Sequence, residues 1–321
     1  GGFIPHVSFD PLEFGLPPKA FSSTDSGQIL GLVTAKRTLA DAQLAEDLGL
    51  RADKVSVILG TTGATELIMD MASRLERPKW HRAILEQGFS EQDAEAICER
   101  IASYYPEWQE SSFPGLLSNV VAGRIAHRLN LQGTNMVTDA ACASSLAALR
   151  LGIDELLLGR SDLVLTGGVD TLNTILMYMC FSKTPALSRQ GDCRPFSAEG
   201  DGTLLGEGIG LLAIKRLKDA QAHNDRIYAV IKGMGSGSDG LGKSVYAPLA
   251  AGQARTLQQA YAQANYAPDT VELVEGHGTG TQVGDATELE SLQLCFGKEA
   301  KAQSCAIGSV KSQIGHTKAA A

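Results

Sequence analysis

This chain lacks most of the features that announce a metal, nucleotide or membrane protein. Its six cysteines, Cys98, Cys142, Cys180, Cys193, Cys295 and Cys305, are scattered, with no CxxC pair and no regular spacing. A zinc site therefore finds no ligand cluster, and no metal is expected. A disulfide framework is not expected in a chain of 321 residues. Buried, reduced thiols are the expectation for all but Cys142. No apolar run approaches the roughly 20 residues of a membrane span. The start, Gly1-Gly2-Phe3-Ile4-Pro5, has neither the charged region nor the apolar core of a signal peptide, so a cytoplasmic location is expected. Basic residues are outnumbered, 28 Lys and Arg against 36 Asp and Glu, for a net charge of −8. That excludes a general nucleic-acid surface, which relies on Lys and Arg. Nucleotide signatures are missing too. Gly233-Met234-Gly235-Ser236-Gly237 follows an expected strand but lacks GxGxxG spacing and opens no helix, and there is no Walker lysine. Gly235-Ser236-Gly237 is only part of a serine-hydrolase elbow.

What remains is a globular profile, 44% hydrophobic and 20% charged, long enough for a large core or two fused subdomains. Residues 54–59 read as a buried strand followed by a turn at Gly60 and Gly63. Residues 163–166, 211–214, 227–231, 271–275 and 306–308 read as strands as well. Between them lie helical patterns, one over 145–158 with Leu146, Leu149, Ile153 and Leu156 on one stripe, another over 251–264. Alternating strands and helices predict an α/β architecture, and near-continuous apolar strands predict a sheet covered on both faces. The charged and aromatic stretch 77–110 reads as a peripheral insertion. Ser90 would cap a helix there, with Ala94, Ile97 and Ile101 facing inward.

The chemistry concentrates in three places. Asp139-Ala140-Ala141-Cys142-Ala143-Ser144-Ser145 puts a cysteine among small residues at the start of an expected helix. The helix dipole there favours a thiolate and a tetrahedral oxyanion. Read alone, Cys142 is equally a packed cysteine at a tight strand–helix junction. His277 lies in Gly276-His277-Gly278-Thr279-Gly280-Thr281 and His316 in Gly315-His316-Thr317. Either histidine alone is compatible with a satisfied structural group. One cysteine and two histidines together suggest a single site assembled by the fold.

These segments resemble the β-ketoacyl synthases, the condensing enzymes of fatty acid and polyketide synthesis. Gly308-Ser309-Val310-Lys311-Ser312-Gln313-Ile314-Gly315-His316, Phe181-Ser182-Lys183-Thr184-Pro185, Cys193-Arg194-Pro195-Phe196 and Gly202-Thr203-Leu204-Leu205-Gly206-Glu207-Gly208 fit the same family in the same order. Met177 to Pro185, Asp225 to Gly233, and Lys243-Ser244-Val245-Tyr246-Ala247-Pro248 resemble the synthase domain of bacterial polyunsaturated fatty acid synthases, with iterative type I polyketide synthases close behind.

The resemblance implies a thiolase-like layered sandwich of two similar halves, residues 1–220 carrying the nucleophilic cysteine and 221–321 the two histidines. It implies that the C-terminal half is incomplete and that both ends are cuts in a longer, multidomain chain. Cys142 would take an acyl chain as a thioester. His277 and His316 would donate to the enolate oxygen formed when a malonyl thioester loses carbon dioxide. Lys311 would orient His316 and balance charge, and Thr279 and Thr281 would bind the phosphopantetheine arm of an acyl carrier protein. Asp285 and Glu288 are expected to brace the His277 loop. No cofactor is expected on the domain itself; the phosphopantetheine belongs to the carrier, for whose acidic surface a local basic patch remains open. A homodimer within a large synthase is implied. The alternatives are a non-catalytic chain-length partner, in which the cysteine is replaced, and an inactive fragment.

Overall fold

The computed structural model describes residues 1–44, 51–63, 65–242, 244, 247–297 and 303–321. Lys243, Val245 and Tyr246 of the Lys243–Pro248 motif lie outside the described residues. The chain forms two compact units. The larger comprises residues 5–172, 208–225 and 318–321, the smaller residues 1–4, 173–207 and 226–317.

The larger unit is built on four strands, β1 (Val55–Thr61), β2 (Asn135–Thr138), β3 (Leu163–Asp170) and β4 (Gly208–Ile214), in the order β2-β1-β3-β4. β1 runs parallel to β2 and β3, and β4 is antiparallel to β3. Every residue of β1 and β3 is buried, as their apolar runs predict, because helices cover both faces. On one face Val55, Val57 and Leu59 of β1 pack with Leu32 and Ala35 of helix α1 (Ser26–Asp41). Residues 77–110, expected as a peripheral insertion, contain α2 (Arg77–Glu86) and α3 (Glu91–Ala102). Val121, Ala122 and Ile125 of α4 (Val120–Arg128) join the first core. On the opposite face Ile58 and Val164 meet Ala148 and Leu156 of α5 (Ser144–Leu157). The alternation of Val57 and Leu59 against Ile58 follows from the two-residue period of a strand. Each such buried aliphatic side chain stabilises the sheet by about 1.5–3 kcal/mol.

At the start of α3 the Ser90 hydroxyl accepts from the Asp93 amide at 3.1 Å, the expected cap. Ala94 is buried and Ile97 and Ile101 half-buried; Cys98 and Ala102 complete that stripe.

The smaller unit holds α6 (Ile175–Lys183), α7 (Ala250–Ala264) and α8 (Gln282–Phe296), with the parallel pair β5 (Leu273–Glu275) and β6 (Ala306–Gly308). Tyr261 of α7 packs edge-on to Phe296 of α8, ring centroids 6.2 Å apart. Single bridges tie Gly2 to Gly206, Leu187 to Thr203, and Leu205 to His316.

Four expectations are corrected. Residues 227–231 form no strand and belong to neither sheet; β propensity needs a partner ladder, and Tyr228 and Val230 stay exposed. Leu146, placed on the buried stripe of α5, is 58% exposed, since only the Leu149 and Leu156 side faces the sheet. Gly60 is not in a turn but in β1, for a reason given below. Of the five cysteines expected to be buried, only Cys98 and Cys193 are. Cys180 on α6 is exposed and Cys295 and Cys305 are half-buried, because a two-stranded sheet offers little surface to cover them.

Candidate functional site

Cys142 lies in a single turn of 3₁₀ helix, Ala141–Ala143, that feeds directly into α5 in the larger unit. The turn is tight: Ala141 sits at φ +50°. A residue without a bulky side chain tolerates that left-handed backbone at the least cost. Side-chain oxygens fix the turn at both ends. Asp139 Oδ1 accepts from the Ala141 amide at 2.9 Å, and its Oδ2 accepts from the Gly63 amide at 2.9 Å. The Ser144 hydroxyl accepts from the Ala140 amide at 2.8 Å and donates to the Ala141 carbonyl at 2.7 Å. Beneath it, a Cβ on Gly60 would stand 2.3 Å from the Ser144 carbonyl carbon. Only glycine lets β1 pass that close to the start of α5, which is why it stands inside a strand. Cys142 is half-buried, with the N-terminus of α5 two residues away.

The smaller unit brings His277, His316, Lys311, Thr279 and Thr281 into one neighbourhood. The two imidazoles meet edge to face, 5.4 Å between centroids and 89° between planes. His316 is 2% exposed. Its amide donates to the Leu204 carbonyl at 2.7 Å, its carbonyl accepts from the Gly206 amide at 2.9 Å, and the Phe181 ring lies edge-on to its imidazole. Backbone and ring are thus held from two sides.

His277 rides on a loop with glycines at φ +44° (Gly278) and φ +75° (Gly280), a path closed to ordinary side chains. Two carboxylates from α8 hold this loop, as expected. Glu288 accepts from the amides of His277 at 2.6 Å and Gly278 at 2.8 Å. Asp285 accepts from the amides of Gly280 at 3.1 Å and Phe196 at 2.6 Å. The Ser309 hydroxyl donates to the His277 carbonyl at 3.3 Å.

The outer edge of His277 is exposed, but protein atoms crowd its other sides. Desolvation, reinforced by the Lys311 cation and opposed by Asp285, pushes it down to about 4. The ring is neutral near pH 7, able to donate from one nitrogen only. Lys311 is itself buried, the environment expected from its uncharged neighbours. The hydroxyls of Thr279 and Thr281 lie 2.8 Å apart and share a hydrogen bond.

Several supporting residues were not singled out in the sequence. Phe181 and Phe196 stood only as motif letters. Ser309 carried a signal, as the serine opening the Lys311 segment, but a hydroxyl alone names no partner. Among the described residues no cluster of three or more His, Cys, Asp or Glu could hold a metal ion, and no helix is long and apolar enough to cross a membrane.

Comparison with known proteins shows the family. The family description "Beta-ketoacyl synthase, N-terminal domain" matches residues 1–220, and "Beta-ketoacyl synthase, C-terminal domain" matches residues 228–321. The chain is 43% identical over its whole length to a polyunsaturated fatty acid synthase subunit of Thraustochytrium sp., covering 12% of that protein. It is 34% identical, again over its whole length, to Polyketide synthase PksN of Bacillus subtilis, covering 5% of it. Among solved structures it matches the ketosynthase from module 6 of the bacillaene synthase from Bacillus subtilis 168. The TM-score is 0.77 at 33% identity, over 98% of this chain and 48% of that one. The oxazolomycin ketosynthase domain OzmH KS7 of Streptomyces albus matches with TM-score 0.81 at 28% identity, over 100% of this chain and 50% of that one. The fold is thus the thiolase-like α/β fold of the ketosynthases, and the chain spans a small part of the multidomain synthases it matches.

Proposed function

The chain belongs to the β-ketoacyl synthases, and we propose that it carries out the decarboxylative condensation of an acyl thioester with a malonyl thioester borne by an acyl carrier protein. Residues 1–220 are read as the half carrying the nucleophile and 221–321 as the half carrying the histidines. The Cys142 thiolate attacks the incoming acyl thioester, and the carrier's pantetheine leaves as a thiol. A malonyl thioester then loses carbon dioxide. The electron pair of the broken C–C bond becomes an enolate, whose oxygen accepts hydrogen bonds from His277 and His316. The enolate carbon attacks the Cys142 thioester and expels the cysteine, leaving a β-ketoacyl chain two carbons longer on the carrier.

The observation that supports this reading most is the paired imidazoles with His277 kept neutral, since a neutral ring donates to an enolate without protonating it outright. Lys311 contributes a buried cation that disfavours a second positive charge on His277. The paired hydroxyls of Thr279 and Thr281 are suited to hold the amides of a pantetheine arm. The similarity to the Thraustochytrium polyunsaturated fatty acid synthase favours polyunsaturated fatty acid synthesis as the pathway. We propose further that the chain acts as a homodimer within a cytoplasmic multidomain synthase, beside its carrier domain.

The test is incubation of the intact protein with an acyl-pantetheine thioester, followed by peptide mass spectrometry, beside the Cys142→Ala variant. An adduct at Cys142 that disappears in the variant supports the transferase step. Release of carbon dioxide from malonyl-pantetheine, lost in His277→Ala and His316→Ala, supports the second. No adduct, or one spread over several cysteines, overturns the reading in favour of a non-catalytic partner.

A further inference from the structure

Next to the Cys142 turn, the larger unit contains a buried ion pair that the mechanism does not use. Asp170, the last residue of β3, and Lys318 are each 3% exposed, with Lys318 Nζ 3.2 Å from Asp170 Oδ1. Charges that deep are tolerated only when paired and hydrogen-bonded. The carboxylate also reaches the main chain on both sides. Its Oδ1 accepts from the Leu172 amide at 3.1 Å and its Oδ2 from the Ala319 amide at 3.1 Å. Asp170 therefore ties the end of β3 to residues 318–321, where Lys318 turns the chain at φ +52°.

That short segment is packed against the start of α5. The Ser145 hydroxyl donates to the Ala321 carbonyl. A Cβ on Gly168 of β3 would lie 2.6 Å from the Ala319 carbonyl oxygen and 3.0 Å from Ser145 Cβ. Strand, segment and helix start meet with no room for one more methyl group. A shift of residues 318–321 is thereby passed to Ser145, three positions after Cys142.

We propose that the Asp170–Lys318 pair is a buried clamp that positions the Cys142 turn, both being positioning residues for acyl transfer. The proposal rests on Cys142 being the nucleophile. Neither side chain takes part in bond making; the pair sets the place from which the thiolate attacks, and a misplacement of about 1 Å costs roughly 100-fold in rate.

Asp170→Asn alone removes the carboxylate charge 3.2 Å from the buried Lys318 ammonium and is expected to unfold the protein in part. The deciding variant is the double substitution Asp170→Asn with Lys318→Met, made in the intact protein. It removes both charges and keeps one amide oxygen at position 170, enough to accept from one of the Leu172 and Ala319 amides. It is expected to stay folded, with a modestly lower melting temperature. Its first-order acylation rate at saturating acyl-pantetheine is expected to fall at least about 10-fold, with the half-saturating concentration unchanged. Amide exchange in the peptide 139–147 is expected to speed up. A parent-like acylation rate in the folded double variant overturns the proposal, whatever the exchange. If the parent itself is not acylated at Cys142, the nucleophile reading fails separately. Exchange then decides: unchanged protection of 139–147 refutes the clamp, and faster exchange upholds it as a clamp on that turn.

Discussion

Replacing Glu288 by alanine should separate the two half-reactions. Its carboxylate accepts from two successive amides, those of His277 and Gly278, at 2.6 and 2.8 Å. Hydrogen bonds to a charged group contribute about 1.5–3 kcal/mol each, and the loop they hold already follows a left-handed path at Gly278. Losing both therefore loosens His277 directly, at a site 3.3 Å from the remaining Ser309 support. The catalytic loss has a ceiling, because the variant can do no worse than delete one enolate donor, worth about 2.7–4 kcal/mol or 100- to 1000-fold. Malonyl decarboxylation should accordingly fall between about 10-fold and that ceiling. Glu288→Gln, which keeps one strong acceptor, should recover part of the loss. Cys142 acylation should be unchanged. The assay is carbon dioxide release from carboxyl-labelled malonyl-pantetheine, beside single-turnover acylation of Cys142 and a melting curve. Parent-like decarboxylation in Glu288→Ala would refute the reasoning. So would an equal loss of both activities, which would mean general unfolding.

Other predictions follow from the same geometry. His277 is held down to about 4, chiefly by desolvation and then by Lys311, so decarboxylation should hold through neutral pH and fail only as pH drops through that value. Lys311→Met should move this acid limb to higher pH in the pH–rate profile. In the folding equilibrium the sign is that of a depressed histidine. The unfolded chain binds the proton first, so the His277 contribution should make stability rise with pH from about 4 to about 6.5, a slope that His277→Asn should remove in urea titrations. Gly60→Ala would set a methyl 2.3 Å from the Ser144 backbone and should cost about 1–3 kcal/mol by overpacking, with slower Cys142 acylation, read by denaturant unfolding and adduct formation. Ser90→Ala should cost about 0.5–2 kcal/mol of stability by removing the α3 cap, and leave both half-reactions untouched.

Some of this was legible in the order of residues. Apolar runs at 54–59 and 163–166 read as strands sealed on both faces, and they are the centre of the sheet. The cap at Ser90 and the helix over 251–264 are local patterns whose physics acts within one or two turns. The run of small residues around Cys142 foretold a tight turn, now visible as Ala141 at φ +50°. The segment 227–231 misled, because its β-branched residues state a preference that only a neighbouring strand can satisfy.

The sequence by itself determined the alternation of elements, the helix cap at Ser90, and the residue types able to form and stabilise a thioester and an enolate. These depend on side-chain chemistry and on neighbours a few positions away. Tertiary structure decided the rest. It set Gly60 against Ser144, 84 positions apart, placed Glu288 under His277, stood the two imidazoles at right angles, and paired Asp170 with Lys318. Contacts of that kind come from how strands and helices stack, and a buried charge or a missing methyl has meaning only once its distant partner is in place.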